Sequence, residues 1–345
     1  MRRRRTVLVA FLVLLVVELG GAIAAGFSAW RARRPWRVLH ASLAEKHFVG
    51  LDDTPLVNFV GSDALGLVVT RGGGSRLRNE FLEIRSLETG TVERVVPTTG
   101  LVLDPFSSRA LARLNPDGPV ELVDLAVGTR TPLPWLVEAP YALAPDGTTV
   151  ALVTSALVLE LRSLPDGTLV RTLPIPAPSH YTTQAAYFPR VVFSARSERL
   201  AVLASRLPIV FCDRASEAWY EAGFGTPVGF AQSRLVVLSS ELRDPDNPIA
   251  VGPSGSRHTI TPWEEHATEH FTLSASGERF ANIRRSPGTK AEEVVVHDSE
   301  TETILRRIPI RPRIDVQGIA LSTRGERLAV AYVDGLVEIW ELKAP

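Results

Sequence analysis

GIALSTRGERLAVAYVDGLVEIWELKAP, residues 318–345, decides the reading of this chain. It holds a strand-like apolar run, a turn, a second run, an acidic-Gly turn, and a third run ending at Trp340-Glu341. YALAPDGTTVALVTSALVLELRSLPDG, residues 141–167, repeats the arrangement. Taking the first apolar residue after each turn as an anchor gives Leu67, Leu111, Val150, Leu200, Leu235, Phe280 and Leu328, at intervals of 35 to 50 residues. Their mean is about 43.5 residues, within the 40 to 45 expected of four-stranded units stacked around an axis.

Each unit is built of strands. LAVLAS, LVVLSS and LAVAYV are too short for helices and rich in branched or bulky apolar residues. Turn residues separate them, as in Pro145-Asp146-Gly147 and Asp166-Gly167, which supply the fixed or positive φ that a hairpin needs. FLEIRSLETG, PVELVDLAVG, LVLELRSLPDG, IVFCDRAS, VVVHDSET and VEIWELK read as third strands whose alternation predicts half-burial. The fifth copy departs: after Leu238 it runs into ELRDPDNPIAVGPSGSRHTITPWEE, which predicts a degenerate unit or an inserted loop.

The last copy ends too close to Pro345 for a fourth strand. An unpaired edge there would be a liability that closure of the ring removes. WRVLHAS, Trp36 to Ser42, is placed to supply the missing strand. The expected fold is therefore all-β, a seven-bladed β-propeller closed by an N-terminal strand, with six or eight blades left open by the weak fifth copy. It divides as residues 1–35, a basic and apolar leader, and 36–345, the propeller.

LSTRGERLAVAYVDGLVEIWEL and, for its first half, ALAPDGTTVALV resemble the phrase of the WD-repeat β-propeller family: a serine-containing turn, a strand, a short acidic-Gly turn and a Trp-acidic ending. The resemblance covers about 310 residues, from Trp36 onward. The Gly-His pair that usually opens such a blade is mostly absent, and Trp340-Glu341 stands where the family carries Trp-Asp.

Thr6 to Trp30 is an apolar segment with one acid, Glu18, flanked by Arg2 to Arg5 and by RARRPWR. It is long enough to span a bilayer as a transmembrane helix. It also reads as a signal helix cleaved near Ala24. The downstream arginines favour a retained single-pass anchor, and the N-terminal cluster places that end inside and the propeller outside the cytoplasm. A lipobox cysteine is absent from the sequence, which excludes a bacterial lipoprotein.

The 38 basic and 38 acidic residues balance, which speaks against a duplex nucleic-acid binder. Cys212 is the single cysteine, so neither an intramolecular disulfide nor a cysteine zinc site can form, and its apolar neighbours predict a buried thiol. His266-Ala267-Thr268-Glu269-His270 matches the H-x-x-E-H pattern of inverted zinc peptidases, but it follows Pro262 and runs straight into FTLSASGERF, leaving no room for the helix that chemistry needs. It reads as a structural histidine segment. Gly72-Gly73-Gly74-Ser75 lacks the Lys-Ser/Thr of a phosphate loop, and Ser254 lacks nucleophile-elbow spacing. Glu264-Glu265 and Glu292-Glu293 read as surface carboxylates. Trp135, Trp219 and Trp263 read as residues of connecting segments, serving either as interface anchors or as packing between blades.

The expectation is a membrane-anchored protein-interaction scaffold without catalytic activity, cofactor or metal, contacting the membrane through Thr6 to Trp30 and an unidentified protein through its loops. The alternative is an exported propeller enzyme or small-ligand binder with a site at the central channel.

Overall fold

The computed structural model describes residues 35–40, 57–60, 64–71, 79–98, 100–103, 108–113, 118–136, 141–176, 190–203, 208–223, 225–239, 248–252, 256–259, 271–285, 292–312 and 314–342. Within them lie seven four-stranded antiparallel sheets. The chain opens with β1 (Arg37–His40) and then builds blade 1 from β2 (Val57–Val60), β3 (Ala64–Arg71), β4 (Asn79–Ser86) and β5 (Val92–Thr98). Blade 2 is β6 (Gly100–Leu103), β7 (Arg109–Arg113), β8 (Val120–Asp124) and β9 (Arg130–Leu133). Blade 3 is β10 (Tyr141–Leu143), β11 (Thr149–Val153), β12 (Val158–Ser163) and β13 (Leu169–Pro174). Blade 4 is β14 (Arg190–Phe193), β15 (Arg199–Leu203), β16 (Ile209–Asp213) and β17 (Trp219–Gly223). Blade 5 is β18 (Gly225–Ala231), β19 (Arg234–Ser239), β20 (Pro248–Val251) and β21 (Arg257–Thr259). Blade 6 is β22 (Phe271–Leu273), β23 (Arg279–Arg285), β24 (Glu292–Asp298) and β25 (Ile304–Pro309). Blade 7 takes β26 (Val316–Leu321), β27 (Arg327–Tyr332) and β28 (Leu336–Glu341) from the end of the chain, and β1 from its beginning.

All seven sequence anchors fall in second strands, from Leu67 in β3 to Leu328 in β27. The weak fifth copy is a four-stranded blade with a short third strand, preceded by residues 240–247. Ring closure is made as the sequence predicts: β1 pairs antiparallel with β28, Arg37 opposite Ile339 and His40 opposite Leu336. Leu39 of β1 is buried with Val337 and Ile339 of blade 7 and with Phe59, Leu65 and Leu67 of blade 1. One short strand thus completes a sheet and seals the last boundary.

First strands of successive blades lie against one another around the axis. The core is not one mass but a set of layers, each between two neighbouring blades. The clusters built around Leu39, Leu82, Leu111, Leu159, Phe211, Phe280 and Trp340 each join one pair of adjacent blades, and together they go round the ring. β12 alternates as the sequence predicts, but this arrangement corrects the half-burial expected of two other third strands. β16 is buried over Ile209 to Cys212 and β28 over Leu336 to Trp340, because a neighbouring sheet covers each face. In β28 the polar position, Glu338, does not meet water; it lies on the face toward blade 6.

Candidate interaction faces

Strand direction sorts the connections into two sets. Within a blade the first-to-second and third-to-fourth connections lie at one end, and the second-to-third and blade-to-blade connections at the other. On the first face the turns among the described residues are short and bonded to themselves. Asp213 accepts hydrogen bonds from the backbone N–H groups of Ala215 and Ser216 at 3.0 and 3.1 Å. Asp298 does the same with Glu300 and Thr301 at 3.0 and 2.8 Å. These donors hold both carboxyls below the usual carboxylate range. Four residues further on, Gly128, Gly167 and their counterparts Glu217 and Glu302 adopt positive φ. A Cβ at Gly167 would stand 2.5 Å from the Trp135 ring of the preceding blade, so glycine there serves both the turn and the close packing.

A repeated arginine ties neighbouring turns together. Second strands open with Arg109, Arg199, Arg234, Arg279 and Arg327 in five blades. In three of these, a buried or nearly buried serine caps the strand: the backbone N–H of Arg199, Arg279 and Arg327 donates to Oγ of Ser194, Ser274 and Ser322 at 2.9, 3.0 and 2.9 Å. The guanidinium then reaches forward. Arg109 donates to the Gly147 carbonyl at 2.8 Å, Arg234 to that of Ser299 at 2.9 Å, and Arg279 to that of Gly325 at 2.7 Å. On the outermost strands Arg94, Arg171 and Arg306 make the corresponding reach to the carbonyls of Leu125, Arg214 and Glu341. Carbonyl oxygens at turns are natural acceptors for a forked donor that never loses its charge.

The third strands of blades 7, 1, 2 and 3 carry a glutamate at one shared position, three residues before the turn: Glu338, Glu83, Glu121 and Glu160. Each faces the preceding blade and meets an arginine. Arg311 Nε lies 2.6 Å from Glu338 and Arg85 NH2 2.6 Å from Glu83. Arg162 is 2.8 Å from Glu160 and Arg130 3.6 Å from Glu121. Glu338 and Glu83 are only 4% and 5% exposed, so their charges depend on these partners. In blade 4 the same position is Val210 and in blade 6 Val295, both buried. The charged arc is therefore confined to one side of the ring.

The residues singled out in the sequence fall as follows. Cys212 is fully buried between blades 3 and 4, and burial pushes its thiol pKa up to about 12, which leaves it protonated and unreactive. Trp135 follows β9, donates from Nε1 to the Pro165 carbonyl at 3.0 Å and has Arg162 over its ring, so it packs blade 2 on blade 3. Trp219 is not in a connecting segment: it begins β17 and packs on the core between blades 3 and 4, its turn being the preceding Asp213 to Ala218. Glu292 and Glu293 are neighbours on β24 rather than a facing pair, and Glu293 binds Arg307 and, at 4.0 Å, Arg284. The segments Thr6 to Trp30, Gly72 to Ser75, Ser254 with its flanks, and Trp263 to His270 lie outside the described residues. Among the described residues no three His, Cys, Asp or Glu side chains are grouped as metal ligands, and no helix is long and apolar enough to cross a membrane.

The arginine that opens the second strand and the glutamate of the third were missed in the sequence. The arginine was visible as the residue just before the apolar anchor, Arg199 before Leu200 and Arg327 before Leu328, whereas the distance from anchor to glutamate changes with the length of the connection between second and third strands.

No family model matches the chain, and no curated protein matches it. Solved structures do. A chain of the crystal structure of the mitotic checkpoint complex superposes with a TM-score of 0.57 at 13% identity, over 90% of this chain and 95% of that one. The Cps50 (Swd1) β-propeller domain of Myceliophteria thermophila gives 0.55 at 16% identity, over 86% and 99%. The likeness is one of fold. It covers nearly the whole of both neighbours.

Proposed function

We propose that the chain is a membrane-tethered propeller that serves as a protein-interaction scaffold. The observation that carries this reading is the inequality of the two faces. One is closed by short, self-bonded turns and by the arginines that bridge them. The opposite one carries the longer connections, among them residues 41–56, 175–189, 240–247 and 260–270. Variable loops on a rigid ring are where recognition residues accumulate. One of the fold neighbours belongs to a multiprotein checkpoint complex, which is the use of a propeller that this reading extends to the present chain.

Thr6 to Trp30 supplies the anchor in this reading, single-pass, with the propeller on the extracytoplasmic side. The arginines on both flanks support an interfacial position for the ends of the segment. The scaffold role is tested by mild crosslinking of the tagged full-length protein in its native cell, detergent purification and mass spectrometry. A recurrent partner that is lost when residues 260–270 are replaced by a Gly-Ser linker of equal length is the expected result. A partnerless protein, or a partner retained by that variant and by equivalent replacements of residues 175–189 and 240–247, contradicts it.

A further inference from the structure

Eight of the nine large hydrophobic side chains that the described residues expose lie at one edge of the disc. Trp36 and Val38 flank the start of β1; Val92 starts β5; Leu169 and Val170 start β13; Ile304 and Leu305 start β25; Val127 sits in the turn before β9. Every one of these positions follows or forms a third-to-fourth connection, or its counterpart at β1, so all lie at the rim of the short-turn face. They occupy blades 6, 7, 1, 2 and 3, which are consecutive around the ring. Blades 4 and 5 add none among the described residues. Singly, an exposed valine means nothing. A succession of them along one rim, with Val170 at 59% exposure, points to an occupant.

The chain itself says which. β1 is the outermost strand of blade 7 and runs from the short-turn face toward the loop face, because it is antiparallel to β28. The polypeptide before Arg37 therefore arrives at the short-turn face, on the rim, between blades 7 and 1, in the middle portion of the apolar arc. Only residues 31–35 separate Trp30, the end of the apolar segment, from Trp36, and a fully extended connection of that length spans roughly 20 Å. Trp36 stands at the junction, half-exposed, with the guanidinium groups of Arg327 and Arg37 at 5.0 and 5.5 Å from its ring. Tryptophan with arginine neighbours suits the headgroup layer, where one side of the ring is apolar and its surroundings are wet.

We infer that the apolar rim of blades 6, 7, 1, 2 and 3 rests in the interfacial layer of the bilayer, with the short-turn face toward the membrane and the loop face turned away from it. This rests on the reading of Thr6 to Trp30 as an anchor. The turns of this face carry acids, Asp124, Asp166 and Asp298 among them, and exposed arginines, Arg196 and Arg324, with neither sign prevailing, so the contact is apolar in character and is expected on uncharged lipid. The consequence for the scaffold is orientation: partners meet loops that project outward, while the tilt of the ring is held by the rim.

The single native cysteine is buried, so introduced thiols can be labelled selectively. Full-length Val170→Cys, Leu305→Cys and Val333→Cys variants, the last in a turn of the loop face, are labelled with an environment-sensitive fluorophore. They are then reconstituted in phosphatidylcholine vesicles containing nitroxide-labelled phosphatidylcholine. Loss of most of the emission at positions 170 and 305, with little loss at 333, is expected. Retention of the protein in the vesicles with no quenching at the rim, or with equal quenching at all three positions, overturns the orientation while leaving the anchor intact. Self-quenching between rim probes that lipid nitroxide does not affect assigns the arc to a second copy and also overturns it. Failure of the unlabelled protein to stay with the vesicles at all overturns the anchor reading and the docking with it.

Discussion

Arg311 and Glu338 meet across the boundary of blades 6 and 7, Nε to Oε1 at 2.6 Å, and the Tyr332 hydroxyl donates to the other carboxylate oxygen at 3.1 Å. Burial and the Glu338 charge together raise the Tyr332 pKa, so the phenol stays a donor. The carboxylate is buried and the guanidinium half-exposed, which makes the pair asymmetric: losing the arginine strands a charge, whereas losing the carboxylate does not. Arg311→Ala is expected to cost about 1–3 kcal/mol in urea unfolding. Replacing both residues, Arg311→Met with Glu338→Leu, is expected to recover most of that loss. A double variant no more stable than Arg311→Ala contradicts the assignment.

His297 is buried between Phe280, stacked at 4.5 Å, and the Glu302 carbonyl, 3.3 Å from Nδ1. Burial holds its pKa below the ordinary 6.5, despite the opposing pull of that carbonyl. The unfolded chain therefore takes up a proton at a higher pH than the folded one. The stabilising contribution is complete above 6.5 and is lost as the pH falls from there through the folded-state value. Thermal unfolding of the wild type should show a steeper fall in Tm over that window than His297→Phe does. Parallel curves would refute the assignment.

Gly277 sits at φ +71°, and a Cβ there would strike the backbone of the preceding blade, at the Phe230 carbonyl and at 2.8 Å from the Gln232 nitrogen. Gly128, at φ +81°, would meet first the flexible Arg94 side chain, at 3.0 Å. Both alanine variants carry the backbone strain, but only the first must move a neighbouring sheet. Gly277→Ala should cost about 1–3 kcal/mol and exceed Gly128→Ala. Equal losses by chemical denaturation would show that blades 5 and 6 are not so close.

Much of this fold was legible before any coordinates. The seven anchors mark second strands because a sheet buried between two others must carry bulky apolar residues just after its turn, as Leu200 and Leu328 do. The closing strand was legible from a deficit, a last copy one strand short. What the alternation of VEIWELK concealed was that Glu338 points inward, since period-2 patterning reports two faces and says nothing of what covers them. Trp219 was misplaced for a related reason: an aromatic next to a turn reads as loop until the partner strand is known. The apolar rim lies beyond sequence reading altogether, because Val92, Val170 and Leu305 become neighbours of one edge only when the blades are set in a ring.

The central claim is that residues 37–40 close the ring on β28, with Trp36 and the start of β1 at the short-turn face. Hydrogen exchange followed by mass spectrometry on the full-length protein tests it most directly, comparing the wild type with a variant in which Arg37 to His40 are replaced by Gly-Ser repeats. The account predicts strong protection of the 336–341 amides in the wild type and a partial loss in the variant, at the β28 amides bonded to β1 while those bonded to β27 stay protected, together with loss of protection at the boundary of blades 7 and 1. Protection of 336–341 that survives the replacement unchanged would contradict it, since some other segment would then be completing blade 7.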